Sequence, residues 1–303
     1  MNAANKTVLV VGATGHLGSA ICQLLAKEGT RVKGLVRATS DTNKVSALQK
    51  MGVETVEGDL KNRGSLQSAL QGVTHVISTA TAIVSRQEGD SLQSVDAEGQ
   101  QHVIEAAVDA GVQQFVYISV HPFPHDFPLQ TAKRRTEKRL MESGLPYTIL
   151  QPTVFMEVWL SPALGFDYNE RKATIYGDGK KSFRWISLND VARYAVASVD
   201  NEKAINKTFE IGGPQALTPL EVVREFEDIT GKKFDVSFVP QEALEGQLAA
   251  APDDISKSFA GLMLGYAKGY EMNDTPAQRV YGLQLQSVKA YAQGVTQSQP
   301  VTG

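Results

Sequence analysis

The first half of the chain alternates between short apolar runs and longer stretches with apolar residues at helical spacing. Residues 8–11 form the first apolar run, a glycine turn follows at once, and helical spacing then continues up to Gly29. Continuous or alternating apolar runs predict strands, whereas apolar positions three and four residues apart predict helices. The pattern therefore predicts strand, turn and helix, and the same order recurs further along.

The recurring units predict an α/β fold with a doubly wound parallel sheet. Each crossover is long enough for a right-handed return between parallel strands, and glycine follows two of the helices, at Gly111 and Gly144. The predicted strands lie at residues 31–36, 53–60, 73–78, 114–119 and 146–150, and the predicted helices at 62–70, 92–110 and 130–143.

The alternation weakens after Pro152, so we divide the chain into residues 1–155, a larger α/β domain, and 156–303, a smaller region. Residues 183–212 are expected to return to the main sheet. An aromatic-rich segment near Trp159 and Phe166 suits either the wall of an apolar pocket or ordinary packing between lobes. Further on we predict a strand at 234–239 and helices at 253–265 and 278–292.

Composition narrows the possible functions. The 303 residues are 42% hydrophobic and 21% charged, with a formal net charge of −3, which argues against a disordered chain and against a nucleic-acid partner. Cys22 is the only cysteine, so no intrachain disulfide can form. The first apolar run is too short for a signal peptide or a membrane span. We expect a cytoplasmic protein whose partner is a small molecule; its oligomeric state is left open.

Residues 12–18, GATGHLG, point to a dinucleotide site. They predict that residues 1–155 form a dinucleotide-binding domain of the Rossmann type and that 156–303 lie on the substrate side. Gly12 and Gly15 permit a tight turn and close approach of a pyrophosphate to the backbone, while Gly18 lets the helix lie close to the strand. The intervening Thr14, His16 and Leu17 are then expected beside the cofactor, because the N–H groups of a helix start attract an anion. A plain structural turn is the alternative, since such a motif is a weak signal without its strand and helix.

Cofactor choice depends on Arg37, which follows the second predicted strand. An arginine here can hold the 2′-phosphate of NADP, whereas an acidic residue would bind the ribose of NAD. We therefore favour NADP, with NAD possible, because Arg37 could instead stack on adenine or cap the strand. Asp59 lies just past the end of the third strand and is followed by Leu60. Asp59 could accept from the adenine amine, cap the following helix, or do both. Thr79 and Ala80 would let the cofactor pass close by.

Three prolines make residues 121–128 non-helical. His121 and His125, although four residues apart, are therefore not placed on one helical face as zinc ligands would be, and we expect no metal site. We expect this loop to overhang the nicotinamide end, with His121 as a candidate to touch substrate and donate a proton.

Together these residues resemble the NmrA-like group of atypical and extended short-chain dehydrogenase/reductases. The resemblance rests on several motifs, namely residues 12–18, Gly58-Asp59-Leu60, 115–119, the stretch 133–152, 185–192, and Ile211-Gly212-Gly213-Pro214 with Leu217-Thr218. It implies a nicotinamide cofactor. It also implies that Lys133 corresponds to the lysine of the Tyr-x-x-x-Lys pair, which binds the nicotinamide ribose, and that Pro152 and Phe155 line the nicotinamide end.

The chain departs from that family pattern at the tyrosine. Leu129 stands four residues before Lys133, and Val120 stands where the family serine is expected, next to Ser119. Proton delivery would then fall to Lys133, to a histidine such as His121, or to water. For Lys133 a solvated surface position is the alternative, since most lysines are exposed.

Two functions fit this sequence. The first is an NADP-preferring oxidoreductase that moves hydride to a small apolar or aromatic acceptor such as a quinone or an unsaturated ketone. The second is a non-catalytic NADP(H)-binding sensor, regulator or assembly factor with a protein partner, which the missing tyrosine favours. Fold alone does not decide between them.

Overall fold

A parallel sheet of seven strands forms the centre of the structure, a computed structural model that describes residues 6–85, 87–270, 272 and 276–297. The strands in chain order are β1 (Thr7–Val11), β2 (Arg31–Val36), β3 (Glu54–Glu57), β4 (His75–Ser78), β5 (Gln114–Ile118), β6 (Tyr147–Pro152), β7 (Phe166–Asp167), β8 (Lys172–Tyr176), β9 (Phe183–Arg184), β10 (Lys207–Ile211), β11 (Ala216–Leu217) and β12 (Asp235–Val239). The main sheet has the order β10-β6-β5-β4-β1-β2-β3. The predicted doubly wound parallel sheet is confirmed.

Helices cover both faces of this sheet. They are α1 (His16–Lys27), α2 (Thr42–Lys50), α3 (Arg63–Ala69), α4 (Glu98–Asp109), α5 (Pro128–Glu142), α6 (Met156–Trp159), α7 (Leu188–Ser198), α8 (Pro219–Thr230), α9 (Gln241–Ala250), α10 (Asp254–Lys268), α11 (Pro276–Tyr281) and α12 (Val288–Gln297). One core cluster joins the sheet to α3, α4 and α5, and a second joins it to α1, α7 and α11. Residues 8–11 of β1 are buried on both faces, as expected of a central parallel strand.

A smaller lobe follows the sixth strand of the main sheet. In it β12, β8 and β7 form a three-stranded sheet, and β9 pairs with β11. A third core cluster packs α8 and α12 against this sheet. Residues 207–211, although they come after much of this lobe, pair in parallel with β6 at the edge of the main sheet.

The predicted helix at 92–110 begins differently from its pattern. Residues Leu92–Ala97 form a π-helical turn, and regular α-helix starts only at Glu98. The wider turn leaves the carbonyl of Asp96 to accept a hydrogen bond from Thr136 Oγ1 at 2.8 Å. Such widened turns frequently occur at functional sites.

The prediction of a single helix at 278–292 is wrong, because the chain there forms α11 and α12 with residues 282–287 between them. Gly282 has a φ of 61°, which ends α11. The linking backbone is held to α7: Asp190 Oδ2 accepts from the N–H of Gln286 at 2.7 Å, and Arg193 donates to the carbonyl of Gln284. Contacts distant in sequence therefore override the helical spacing.

Within the part of the chain that the structure describes, no helix is both long and apolar enough to cross a membrane.

Candidate functional site

The glycine turn lies where the strand order reverses, since β2 and β3 extend to one side of β1 and β4 lies on the other. Gly12 has a φ of 87°, and a Cβ there would lie 2.7 Å from Thr79 Oγ1. A Cβ at Gly18 would lie 2.1 Å from the carbonyl oxygen of Gly12. Both positions therefore exclude any side chain. Ligands of open parallel sheets bind at this reversal point.

The start of α1 is open. Gly15 is the N-cap residue and has no side chain to bond the first N–H groups, and no acidic residue lies in the first turn. Gly15 and His16 are exposed, while Thr14 and Leu17 are half-buried. Unpaired N–H groups and the positive end of the helix dipole together favour an anion such as a pyrophosphate.

Thr79 and Ala80 form the wall opposite the glycine turn. The backbone N–H and the hydroxyl of Thr79 both donate to the carbonyl of Val11, at 2.9 and 3.1 Å. The carbonyl of Ala80 accepts from Gln100 Nε2 at 3.0 Å. These bonds fix the crevice between β1 and β4.

Arg37 and Asp59 lie at the ends of β2 and β3, as predicted, but neither side chain is free. Arg37 forms an ion pair with Asp90, with 2.6 Å between Nη1 and Oδ2. Asp59 Oδ1 accepts from the N–H of Lys61 at 2.8 Å. The capping role considered for Asp59 is wrong, because α3 begins at Arg63 and its N-cap residue is Asn62. Leu60 is buried in the first core cluster.

Lys133 is buried on the inner face of α5 with 5% of its surface exposed, so a solvated surface position is wrong for it. Its Nζ lies 3.5 Å from Asp96 Oδ1 and 3.4 Å from the carbonyl oxygen of Ile118. The ammonium also lies 5.1 Å from the centre of the Tyr117 ring, within reach of a cation–π interaction.

The surroundings keep Lys133 charged. Burial alone would lower the pKa of its ammonium, but Tyr117 and the Asp96 carboxylate outweigh burial and raise the pKa above its ordinary value. A cation held in this way can donate a proton or a hydrogen bond, whereas it is a poor general base at neutral pH.

Position 129 holds leucine in place of the family tyrosine, and the phenol of Tyr117 is not accessible. Leu129 is 5% exposed, and its N–H donates to Ser258 Oγ at 3.0 Å, which ties the start of α5 to α10. Tyr117 is fully buried, and burial raises its pKa. Ser119, at the end of β5, has a buried hydroxyl without a hydrogen-bond partner among the described residues.

His121 lies beyond the end of β5, as expected, but it is 2% exposed and stacks on Tyr270 with 4.1 Å between ring centres. Its Nδ1 lies 3.3 Å from Glu210 Oε2, without hydrogen-bond geometry. Burial, and then the charge of Arg134, lower its pKa to about 4. The imidazole is therefore neutral near pH 7, a state poorly suited to the acid role considered for it.

His121 also makes the stability of the fold depend on pH. In the unfolded chain the imidazole of His121 has its ordinary pKa of 6.5, whereas in the folded chain its pKa is about 4. The unfolded chain therefore binds the proton first as the pH drops, and the stability of the fold falls through this interval. We expect His121→Phe, which keeps the ring stacking, to lessen that fall in urea titrations at a series of pH values. His16→Asn, a change at an exposed histidine, is the matched control, and an equal effect of both changes would contradict the assignment.

Pro152 and Phe155 lie at the end of β6. Pro152 is buried, and its carbonyl accepts from the N–H of His121 at 3.0 Å. Phe155 is half-buried and pairs by a single bridge with Ile186. They therefore lie at the carboxyl edge of the sheet, beside the loop that carries His121.

The aromatic segment of the smaller lobe is largely packed. Trp159 stacks on Tyr266 at 4.3 Å between ring centres, and Tyr266 stacks on Phe183 at 4.6 Å. The cavity bounded by Trp159, Tyr176 and Trp185 is about 10 Å³, room for about one water molecule. Of the two interpretations of this segment, packing between elements is the one observed.

Three side chains of the site were not predicted from the sequence: Asp96, Lys61 and Asp90. Asp96 lies between the apolar residues Val95 and Ala97, which is the one local signal that could have drawn attention to it. No signal marks the other two, since Lys61 and Asp90 are 29 residues apart and meet only in the fold. Among the described residues, no group of three or more His, Cys, Asp or Glu side chains could hold a metal ion.

Known proteins similar to this chain include both enzymes and assembly factors. A photosystem II assembly factor Ycf39 from Guillardia theta is 31% identical over 246 residues, which is 78% of this chain and 74% of that protein. An NAD(P)H azoreductase from Xenophilus azovorans is 32% identical over 227 residues, 74% of each protein.

Solved structures share the fold. An NADPH-dependent quinone oxidoreductase from Escherichia coli, in complex with NADPH, superposes with a TM-score of 0.77 at 23% identity, over 95% of this chain and 99% of that one. Residues 4–291 match the NmrA-like family. With the reversed strand order, the glycine turn and a match over nearly its whole length, the chain belongs to the NmrA-like family.

Proposed function

We propose that this protein is an NAD(P)H-dependent reductase that prefers NADPH and transfers hydride to a small apolar or aromatic acceptor such as a quinone or an enone. The observation that carries the proposal is the glycine turn, where a Cβ at position 12 or 18 would collide with the backbone or side chain opposite. A backbone without side chains at these two positions, at the point where the strand order reverses, is suited to binding a dinucleotide pyrophosphate.

The residues at the carboxyl edge of the sheet fit the remaining parts of NADPH. The start of α1 would hold the pyrophosphate, and Arg37 would face the 2′-phosphate. Lys133 and the unpartnered hydroxyl of Ser119 would meet the nicotinamide end, beside Pro152 and Phe155. When bound, the nicotinamide supplies the hydride. The similarity to an NAD(P)H azoreductase supports the same cofactor.

Proton delivery in this reaction falls to Lys133 or to water. The ammonium stays charged between Asp96 and Tyr117, and it can stabilise negative charge that develops on an acceptor oxygen. Since no phenol stands at position 129, we infer an acceptor whose reduced anion is already stabilised. A quinone or an enone meets this condition better than a simple ketone.

A second function, that of a non-catalytic NADP(H)-binding assembly factor, has one observation in its favour. The aromatic segment that could have formed a substrate pocket encloses only about 10 Å³. Relatives named photosystem II assembly factors support this alternative. Such a protein would bind NADPH without oxidising it.

The two functions differ in a simple assay. We expect the purified protein to consume NADPH faster than buffer with at least one member of a panel of quinones, enones and azo compounds. Lys133→Met should lower this rate. Its matched control is Lys138→Met, a change at an exposed lysine of the same helix, α5, which should leave the rate unchanged. NADPH binding without turnover on every acceptor would refute the reductase and favour the assembly factor.

A further inference from the structure

Arg37 shares a carboxylate with a second cation. Asp90 Oδ2 lies 2.6 Å from Arg37 Nη1, and Asp90 Oδ1 lies 2.8 Å from Lys61 Nζ. Each carboxylate oxygen therefore binds one cation. The three side chains come from the ends of β2 and β3 and from the segment that precedes the π-helical turn.

The carboxylate is the least accessible member of this cluster. The side chain of Asp90 is 2% exposed, compared with 29% for Arg37 and 32% for Lys61. Burial raises the pKa of Asp90, but hydrogen bonds from Lys61, Ser85 and Arg37 together lower it to about 2. Asp90 is therefore a permanent anion in the neutral range.

The cluster as a whole carries no net charge. Lys61 Nζ also lies 3.7 Å from Asp59 Oδ2, so two cations face two carboxylates. A phosphate monoester carries about −1.5 to −2 charges at pH 7. Such a group finds no surplus of positive charge here while Asp90 remains in place, and it would be repelled by the carboxylate beside Arg37.

A second pair of bonds holds the Asp90 segment against the end of β2. Thr39 Oγ1 donates to Gln87 Oε1 at 2.7 Å, and Gln87 Nε2 donates to the carbonyl of Thr39 at 3.2 Å. Asp90 is therefore a built-in partner of Arg37, because the segment that carries it is also bonded to the end of β2 through Gln87.

We propose that Asp90 is a specificity-determining residue, a carboxylate that occupies Arg37 and Lys61 and that the 2′-phosphate of NADP(H) has to displace. Carboxylate and phosphate compete for the same guanidinium and ammonium donors. NAD(H), which has a hydroxyl in place of the phosphate, does not need these donors. Asp90 thus reduces the preference for NADP(H), and Lys61 is the second cation of the phosphate site. This inference rests on the proposed NADP(H) crevice.

The test compares NADPH and NADH binding, monitored by nucleotide fluorescence, in the wild-type chain and in variants. We expect Asp90→Asn, which removes the charge and keeps an acceptor oxygen, to tighten NADPH binding by about tenfold. NADH binding should stay within about twofold. Lys61→Met should weaken NADPH binding and leave NADH unchanged. Asp109→Asn, which makes the same change of charge at an exposed position on α4, is the control and should alter neither.

Each outcome decides the matter. If Asp90→Asn binds NADPH no more tightly than the wild type, or tightens both nucleotides equally, the inference is wrong even though the crevice binds NADPH. If neither nucleotide binds to the wild type or to Asp90→Asn, the inference and the proposed function both fail. If NADPH binds as expected and no acceptor is reduced, the inference stands and only the reductase is lost.

Discussion

Replacing Gly18 with alanine is expected to abolish dinucleotide binding and to lower the free energy of unfolding by about 3 kcal/mol. The added Cβ would lie 2.1 Å from the carbonyl oxygen of Gly12 and 2.7 Å from its carbonyl carbon. No rotamer relieves a clash between Cβ and backbone, so α1 has to move away from β1. The N–H groups at the helix start then no longer point into the crevice.

Urea unfolding and calorimetric titration with NADPH measure the two effects. Gly246→Ala is the matched control, because its added Cβ on α9 meets nothing within 4 Å and its φ is not in the left-handed region. That change should stabilise the helix by about 0.5–1 kcal/mol. A Gly18→Ala protein with wild-type stability and affinity would show that the close approach of α1 to β1 is not required.

Replacing Lys133 with methionine is expected to lower both stability and turnover. The change leaves Asp96, which is fully buried, without its cation. Removing one member of a buried ion pair costs about 3–5 kcal/mol. Loss of a positioned proton donor lowers kcat by about 10²- to 10⁴-fold.

The double variant Lys133→Met/Asp96→Asn separates the two effects. Asparagine keeps an oxygen that can accept from the N–H of Ala82, as Asp96 Oδ2 does at 2.8 Å, so most of the stability should return. Turnover should not return, because the ammonium is still missing. A double variant with wild-type kcat would make Lys133 a structural counterion only, and the measurement is kcat and KM on an acceptor that the wild type reduces.

The parallel sheet could be predicted from the sequence because each of its first six strands, and each helix between them, has its own local pattern. Short apolar runs, glycine turns and long crossovers define β1 to β6, and each of these patterns spans few residues. The helix predicted at 278–292 failed for the opposite reason. Bonds from α7 to the backbone of Gln284 and Gln286 interrupt it, and such contacts leave no trace in local spacing.

The candidate site divides in the same way. The glycine turn is contiguous and could be predicted, as could the position of Arg37 at the end of β2. The partners of Arg37 and Lys133 could not, because Asp90 and Asp96 reach them across the fold. The low pKa of His121 was equally out of reach, since it depends on burial beneath Tyr270 and on the charge of Arg134.

The most direct test of the dinucleotide crevice is calorimetric titration of the nucleotide-free wild type with NADPH and, in parallel, with NADH. We expect one NADPH bound per chain, more tightly than NADH, and we expect Arg37→Ala to weaken NADPH binding far more than NADH binding. If neither NADPH nor NADH binds, the dinucleotide crevice is contradicted, because the glycine turn is then structural only.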